Sequence, residues 1–396
     1  MRNERPARPT LEAVAAHAGV SRATVSRVVN GGAGVRDEVR ERVRRSVHAL
    51  GYTPNIAARS LVTRRTGAVA VVITEPESRV FSDPFFSRQL RGISRALADH
   101  DTQLLLMLQE RAEDYERIGR YLTGGHVDGV LMFSLHGEKP PPGVRALRSG
   151  LPTVFGGRPG WRGAAGEPGL LYVDADNRGG ARLAVTRLLA RGCRRIAVLT
   201  GPLDQTSALD RLHGYRDALR EAGLSPDPAL AADGGFTAEG GERGMAELLA
   251  REPGLDGVFT GSDLMAVGAL RALRAAGRGV PDEVAVVGFD DLEAASWADP
   301  PLTTVRQDVE GMGRLMAGLL LRRMAEESGS PDPGRSNGTR EGARDSGVGA
   351  VNGSGPGSGT GGTGGTGGSS PGEPVPAVAP VAPVITEARL VVRESG

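Results

Sequence analysis

The sequence has little cysteine, no long apolar run and no apolar segment near its start. Cys193 is the only cysteine among 396 residues, so an internal disulfide is excluded and a cysteine-based zinc site lacks a second thiol. No apolar stretch reaches the roughly 18 residues of a membrane-spanning helix. The first ten residues are rich in arginine and interrupted by proline, unlike a secretory signal. We therefore expect a cytoplasmic protein without a membrane partner.

The sequence also lacks the motifs that indicate catalysis. It contains no G-x-x-x-x-G-K-[ST] phosphate loop, no metal-ligand spacing of histidine and cysteine, and no nucleophile with a matching base. A G-x-S-x-G pattern at Gly368, Ser370 and Gly372 lies in a Gly-rich stretch without the strand and helix that a hydrolase requires. We therefore predict no catalytic residue, no cofactor and no metal.

Positive charge is concentrated at one end of the chain. The formal net charge is only +1, yet residues 1–66 contain thirteen arginines and five acidic residues, and Lys139 is the only lysine. A basic head on an acidic body indicates a protein that binds a polyanion such as nucleic acid. The alternative, a solvated basic tail, does not require the apolar periodicity found within the head.

Within the head, apolar residues recur every three or four positions in three short segments. Thr10 and Ser21 are predicted to cap the first two helices, and Gly19 supplies the turn between them. The third helix is predicted to begin at Asp37 and to end before Gly51. Three short helices with a tight turn after the first are typical of a helix-turn-helix unit.

From Gly67 onward, short β-branched runs alternate with amphipathic helical segments. This alternation predicts parallel sheets flanked by helices in two lobes, with ligands at the carboxyl ends of the strands. The Gly-, Ser-, Thr- and Pro-rich residues 328–383 are predicted to be a disordered insert, and residues 385–393 one last strand. The other strand candidates are 68–74, 103–108, 128–133, 153–155, 195–200, 256–260 and 284–288.

Several segments resemble the LacI/GalR family of transcriptional regulators. They include GVSRATVSRVVN at 19–30, LGYTPN at 50–55, AARSL at 57–61, DPFF at 83–86, SDLMAVGAL at 262–270, VGFDD at 287–291, PPLTTVRQD at 300–308 and LVVRES at 390–395. The resemblance implies an α/β fold with an N-terminal helix-turn-helix headpiece and a two-lobed body like that of periplasmic binding proteins. It implies a headpiece at 1–54, a hinge helix and linker at 55–66, and an effector-binding and dimerisation body at 67–327 and 384–396.

By this resemblance, the second helix enters the major groove of a double-stranded DNA operator. Arg22, Ala23 and Arg27 would read bases, and because an arginine pairs with guanine O6 and N7, G·C-rich half-sites are expected. Hydroxyl and amide groups would contact phosphates, or would only cap the helix and meet solvent. These residues are Ser21, Thr24, Ser26 and Asn30.

The segment from Asn55 to Leu61, which includes Ala58, resembles the family's hinge helix. Leu61 lies where the family inserts a leucine between base pairs in the minor groove, which kinks the duplex. Alternatively, Leu61 packs against the body.

For the effector site, the family positions favour Arg211 and Asp290, joined by Ser262. The other candidates are Phe85, Phe86, Arg158, Ser207, Trp297 and Gln307. A sugar site needs such carboxylates, amides, arginine and aromatic faces. Core packing is the alternative for the two phenylalanines, and for Asp263 and Asp291 we predict helix capping or loop bracing. Gly157 stands where some relatives carry an acidic residue, so the ligand's identity stays open.

The resemblance predicts a homodimer on a pseudo-palindromic operator, with a small-molecule effector that shifts the lobes. A mono- or oligosaccharide is the expected effector, and a purine or another metabolite is the alternative. Whether the effector releases the operator or promotes binding is left open. A sugar-binding protein without a regulatory role shares the two-lobed body, but it predicts an export signal and no basic head.

Overall fold

The computed structural model describes residues 9–30, 32–53, 65–137, 139–327 and 382–396. The predicted hinge residues Asn55, Ala58 and Leu61 lie outside the described residues, as does all but the end of the predicted insert.

The head contains three helices, α1 (Leu11–Ala18), α2 (Arg22–Val29) and α3 (Asp37–Leu50). Thr10 and Ser21 accept hydrogen bonds from backbone amides in the first turns of α1 and α2. Gly19 has a φ of +62°, which glycine adopts without the steric cost that a side chain adds. These features confirm the predicted helix starts and the turn. Val14, Val25 and Val43, one from each helix, are fully buried and form the centre of the head's core.

The body alternates strands and helices along the chain. In order, its elements are β1 (Ala68–Ile73), α4 (Glu77–Ser82), α5 (Pro84–Ala98), β2 (Gln103–Leu108), α6 (Ala112–Thr123), β3 (Gly129–Phe133), α7 (Pro142–Arg148), β4 (Thr153–Gly156), β5 (Leu171–Ala175), α8 (Asn177–Ala190), β6 (Ile196–Thr200), α9 (Thr206–Glu221), β7 (Ala231–Asp233), α10 (Ala238–Arg251), β8 (Gly257–Thr260), α11 (Asp263–Ala275), β9 (Ala285–Asp290), α12 (Glu293–Trp297), β10 (Thr303–Arg306), α13 (Val309–Glu327), β11 (Val384–Thr386) and β12 (Arg389–Val391).

These strands form two six-stranded sheets. The first lobe's sheet has the order β11-β5-β4-β3-β1-β2, and its strands all run parallel. The second lobe's sheet has the order β12-β10-β9-β8-β6-β7, with β12 antiparallel to β10. Helices cover the sheets because parallel neighbours require crossover connections. The predicted two-lobed α/β fold is therefore confirmed.

Two details differ from the sequence prediction. Strands β5, β7 and β10 are not among the strand candidates. The single strand predicted at 385–393 is two short strands, β11 in the first sheet and β12 in the second. The segment is extended as predicted, but residues 387–388 carry the chain from one lobe to the other.

The chain passes between the lobes at three places. It leaves the first lobe after β5, returns after β10 to form α13, and crosses again between β11 and β12. Helix α13 then packs on α5, where Met312, Met316 and Leu320 join the first lobe's core. The crossings place the carboxyl ends of both sheets on opposite sides of one cleft.

Close packing of α5 on α13 gives a first prediction. A Cβ atom at Gly92 of α5 would overlap the backbone carbonyl of Glu310 on α13, whereas one at Gly119 of α6 would lie 3.7 Å from the nearest side-chain atom. We expect Gly92→Ala to lower the free energy of unfolding by about 1–3 kcal/mol, as overpacking does. Gly119→Ala should raise it by up to about 1 kcal/mol through helix propensity. Urea unfolding of both variants measures this, and equal effects would contradict the close approach.

Candidate functional site

The cleft between the lobes contains two adjoining pockets. Both are lined by Phe85 and Ser134 of the first lobe and by Gln205, Ser207 and Arg211 of the second. One pocket extends towards the crossings between the lobes, and the other extends towards α4 and α11. A ligand in the cleft would therefore contact both lobes at once.

Arg211 of α9 is held at the centre of the cleft. Its Nε donates to Asn177 Oδ1 at 2.9 Å, and one of its terminal nitrogens donates to the carbonyl of Gly261. The guanidinium carbon lies 3.7 Å from the ring centroid of Phe289. Burial lowers the pKa of Arg211, while the carboxylates of Asp290 and two other aspartates act against that shift. The arginine is thus fixed in orientation before any ligand arrives.

Asp290, at the end of β9, faces this arginine across 3.6 Å. Gln307 donates to Asp290 Oδ1 at 2.5 Å. Burial raises the pKa of Asp290 to about 7, against the opposing effect of the Arg211 charge. Its φ of +110° is unusual for a residue with a side chain and is a form of strain that concentrates at ligand sites. Arg211 and Asp290 together offer donors and an acceptor to a ligand.

A polar cluster joins the lobes at the edge of the cleft, and we call it the rim bridge. It consists of Glu75, Ser134 and His136 of the first lobe and Asp204 and Gln205 of the second. Glu75 is 2% exposed and accepts hydrogen bonds from Ser134 and, at 3.0 Å, from Gln205. His136 lies between two carboxylates, 2.9 Å from Glu75 and 3.2 Å from Asp204. The rim bridge therefore connects the two lobes directly.

In the head, α2 presents an exposed polar surface. Arg22, Ala23, Arg27 and Asn30 are exposed along it. Ser21 caps the helix through the Thr24 amide at 3.2 Å, which confirms the capping role. The N-terminal half of α2 is therefore accessible to a binding partner.

Comparison with known proteins identifies the family. Residues 10–55 match the bacterial regulatory proteins of the lacI family, and residues 185–346 match a periplasmic binding protein-like domain. The HTH-type transcriptional regulator CelR of Thermobifida fusca is 48% identical over 328 residues, which cover 83% of this chain and 95% of CelR. The chain belongs to the lacI family. The ribose operon repressor of Escherichia coli K12 is 35% identical over 320 residues, covering 80% of this chain and 93% of the repressor.

Solved structures agree with this assignment. A CelR–cellobiose complex superposes with a TM-score of 0.67 at 41% identity, covering 98% of this chain and all of the other. The lac repressor dimer bound to operator and the anti-inducer ONPF gives a TM-score of 0.74 at 23% identity, covering 98% of this chain and 99% of the other, which shows the shared fold. The protein is therefore a DNA-binding transcriptional regulator, and the relatives named here are regulators rather than enzymes. Among the described residues, no helix is both long and apolar enough to span a bilayer.

The structure of this lacI-family regulator brings most of the predicted effector residues together. Trp297 lines neither pocket: it ends the short helix α12, and 78% of its surface is exposed, so its role at the cleft stays a prediction. Phe86 combines both interpretations, because it lines a pocket and is 1% exposed in the core. The residues that do line the cleft are Phe85, Phe86, Arg158, Ser207, Arg211, Ser262, Asp290 and Gln307.

The bracing roles predicted for two aspartates are confirmed. Asp263 is fully buried and accepts hydrogen bonds from the Leu292 amide at 2.7 Å and the Thr304 hydroxyl at 2.5 Å. Asp291 forms ion pairs with Arg306 at 2.6 Å and with Arg393 at 2.7 Å. These contacts hold the loop that carries Asp290.

Sequence reasoning missed several polar residues of the cleft. They are Glu75, Arg79, Asp83, Gln89, Ser134, His136, Asp174, Asn177 and Gln205. Their position in the sequence could have predicted some of them. Glu75, Ser134 and Gln205 each lie a few residues after a parallel strand, where ligands bind in such folds. Phe236 was also missed, although its ring lies 5.7 Å from the Arg211 guanidinium.

The rim bridge predicts a pH dependence of stability. Burial alone would lower the pKa of His136, but hydrogen bonds and charge from Glu75 and Asp204 outweigh it and raise the pKa. A raised folded-state pKa stabilises the protein below the unfolded value of about 6.5, and this contribution is lost as pH rises through the folded value. We expect His136→Gln to lose less thermal stability than the wild type between about pH 6 and pH 8.

The exposed His100 offers a matched control for this measurement. His100→Gln should keep the pH dependence of the wild type in the same melting experiments. If His136→Gln and the wild type gave parallel curves, the bridge would not hold a protonated imidazole.

Proposed function

We propose that this lacI-family regulator is a repressor that binds a pseudo-palindromic operator as a homodimer, and that a neutral β-linked glucose disaccharide such as cellobiose occupies its cleft. The observation that carries the proposal is the buried Arg211–Asp290 pair between the lobes, in a chain 48% identical to CelR. A relative's solved structure contains cellobiose. Residues 1–54 act as the headpiece, and the protein works in the cytoplasm, where its operator lies.

The charges of the cleft favour a neutral polyhydroxyl ligand. Each of the three arginines that line the pockets is paired with a carboxylate, Arg79 with Glu75, Arg158 with Asp210, and Arg211 with Asp290. Further carboxylates at Asp83 and Asp174 also line the pockets. A phosphorylated sugar would need an uncompensated cation there. Sugar hydroxyls instead donate to carboxylates and accept from guanidinium and amide groups.

Aromatic and amide side chains complete a sugar site. Phe85 and Phe236 line the pockets, and apolar walls of this kind cover the C–H faces of a pyranose ring. Gln89 and Asn177 place amide groups at the same cleft. An amide has both a donor and an acceptor group, so it can pair with a sugar hydroxyl that accepts or donates a hydrogen bond.

In the head, Arg22, Ala23 and Arg27 read base edges from the exposed face of α2. Ser21, Thr24, Ser26 and Asn30 contact phosphates, which fix the register of the helix on the duplex. Asn55, Ala58 and Leu61, outside the described residues, act in the minor groove between two protomers. Operator recognition and effector recognition therefore use separate parts of the chain.

The two parts are coupled through the lobes. A ligand that contacts both lobes favours one arrangement of them, and the three crossings transmit that preference to the first lobe, which continues into the head. Effector and operator must each bind one arrangement more tightly for coupling to exist, and the coupling acts equally in both directions.

A direct test uses an operator selected in vitro from randomised duplexes. Cellobiose is expected to change the operator Kd at least about 5-fold and to raise the melting temperature, whereas ribose, a purine nucleoside and glucose 6-phosphate should do neither. Incubation with cellobiose should give no turnover. A melting shift with the nucleoside instead of the sugars would assign a purine effector. A protein that prefers no duplex sequence, with or without sugar, would overturn the proposal.

A further inference from the structure

An ion pair in the head connects the first helix with the start of the second. Glu12 lies in the first turn of α1, and its Oε1 is 2.9 Å from Nε of Arg22, the first residue of α2. Both side chains are largely exposed, 62% for Glu12 and 69% for Arg22. The pair lies on the side of α2 that carries the base-reading residues of the proposed function.

The backbone positions of both residues are fixed by the packing of the head. Val14 of α1 and Val25 of α2 are fully buried against each other's helices. The first helix ends at Gly19, which has a left-handed conformation and begins the turn between the helices. Backbone and Thr10 hydrogen bonds, ahead of the Arg22 charge, lower the pKa of Glu12. The carboxylate is thus ionised at neutral pH, and its backbone belongs to a packed helix.

The contact uses one particular edge of the guanidinium. An arginine has five N–H groups in a planar fork: one on Nε and two on each terminal nitrogen. A carboxylate at Nε occupies the side of the fork. The end of the fork, with one N–H from each of Nη1 and Nη2, keeps the spacing that matches two acceptors such as guanine O6 and N7.

We propose that Glu12 is a positioning residue for operator recognition: it holds Arg22 by Nε and directs the Nη1 and Nη2 edge towards O6 and N7 of a guanine. The proposal rests on the proposed function of α2 as the base-reading helix. Glu12 also places a negative charge beside the phosphates, so it opposes the alternative in which Arg22 turns to a phosphate of any sequence.

Such a residue changes specificity more than folding. An exposed ion pair contributes little to the stability of a helix unit because water and salt screen it. Without Glu12, Arg22 gains rotational freedom and a larger share of contacts to phosphates. Binding to unrelated duplexes should then stay equal or become tighter, while the preference for the guanine falls.

The experiment compares full-length dimers on three duplexes: the selected operator, the same operator with the guanine pair at the Arg22 position changed to A·T, and an unrelated duplex. The variants are Glu12→Gln, Arg22→Ala and the double variant. Glu38→Gln is the matched control, since Glu38 is an exposed acid in the first turn of α3. Each Kd is measured at two salt concentrations, and each melting temperature is recorded.

Glu12→Gln is expected to reduce the preference for the guanine, defined as the Kd of the A·T duplex divided by the Kd of the operator, about 5-fold with an unchanged melting temperature. In the Arg22→Ala background the same change should leave that ratio unaltered, because the two residues act as a unit. Glu38→Gln should leave the ratio at its wild-type value.

Two results overturn the proposal, and they differ from a failure of the proposed function. If Glu12→Gln and Glu38→Gln lower the Kd for every duplex by the same factor and keep the ratio, Glu12 acts only through its charge. If Glu12→Gln lowers the ratio equally with and without Arg22, it acts through another group. If Arg22→Ala itself keeps the ratio, the base-reading role of Arg22 fails.

Discussion

Replacing Arg211 with Met is expected to remove the response to effector while leaving operator affinity without effector unchanged. Arg211 lines both pockets and is positioned by Asn177, Gly261 and Asp290. Methionine fills part of the volume but donates no hydrogen bond. A site built around such donors loses at least about 100-fold in affinity when a buried partner is left without one.

The design must separate ligand loss from misfolding. Removing one partner of a buried ion pair costs about 3–5 kcal/mol in general, although the raised pKa of Asp290 lets that carboxyl take up a proton and reduces the cost. Asp290→Asn, which keeps the shape and removes the charge, is therefore tested beside it. Arg220→Met, at an exposed position of the same helix, is the control for the substitution.

The measurements are the cellobiose-induced melting shift and the operator Kd with and without cellobiose. Arg211→Met and Asp290→Asn should bind operator with the wild-type Kd and show no change in melting temperature or operator Kd with cellobiose. Arg220→Met should respond to cellobiose like the wild type. Loss of operator binding in both cleft variants, with intact melting behaviour, would contradict the division of labour between cleft and head.

Replacing Val43 with Asp is expected to abolish operator binding while leaving the cleft functional. Val43 of α3 is fully buried in a core formed by three short helices. A carboxylate buried there without a partner costs several kcal/mol, on the order of 3–5, and a unit of this size has little stability to lose. Since Val43 is not on α2, the loss would come from unfolding of the head rather than from a lost DNA contact.

The matched control is Ala49→Asp, the same introduced residue at an exposed position of the same helix. It should keep operator affinity within a few-fold of the wild type. Val43→Asp should weaken operator binding at least about 100-fold and keep the cellobiose-induced melting shift of the body. Operator binding that survives Val43→Asp would show that the head's core is not needed for recognition.

The local rules of the sequence predicted the head well. Caps at Thr10 and Ser21 and the glycine at Gly19 act through their own neighbours, so a linear pattern contains them in full. Most strands of the body were found for the same reason. Strands β5, β7 and β10 were not, because pairing with a neighbouring strand, rather than local preference, makes them extended.

The cleft shows the opposite limit. Arg211 and Asp290 were placed by family resemblance, since 79 positions of sequence separate them and no local pattern connects them. Glu75 and His136 escaped notice because their partners Gln205 and Asp204, respectively, lie in the other lobe. Trp297 was expected to form an apolar wall of the cleft. Hydrophobic residues are not always buried, and the position of Trp297 at the end of α12 leaves it exposed.

By itself, the sequence determined that this chain has a basic three-helix head, a two-lobed α/β body and membership of a DNA-binding family. Charge distribution, caps and periodicity are properties of neighbours along the chain, and they are sufficient for the head and the body, while the family follows from the resemblance of ordered segments. The tertiary structure alone decided which polar groups meet across the cleft, that the last segment is shared by two sheets, and that Glu12 reaches Arg22. Those contacts depend on where three interlobe crossings and one glycine turn bring distant residues, and chain neighbours do not specify that.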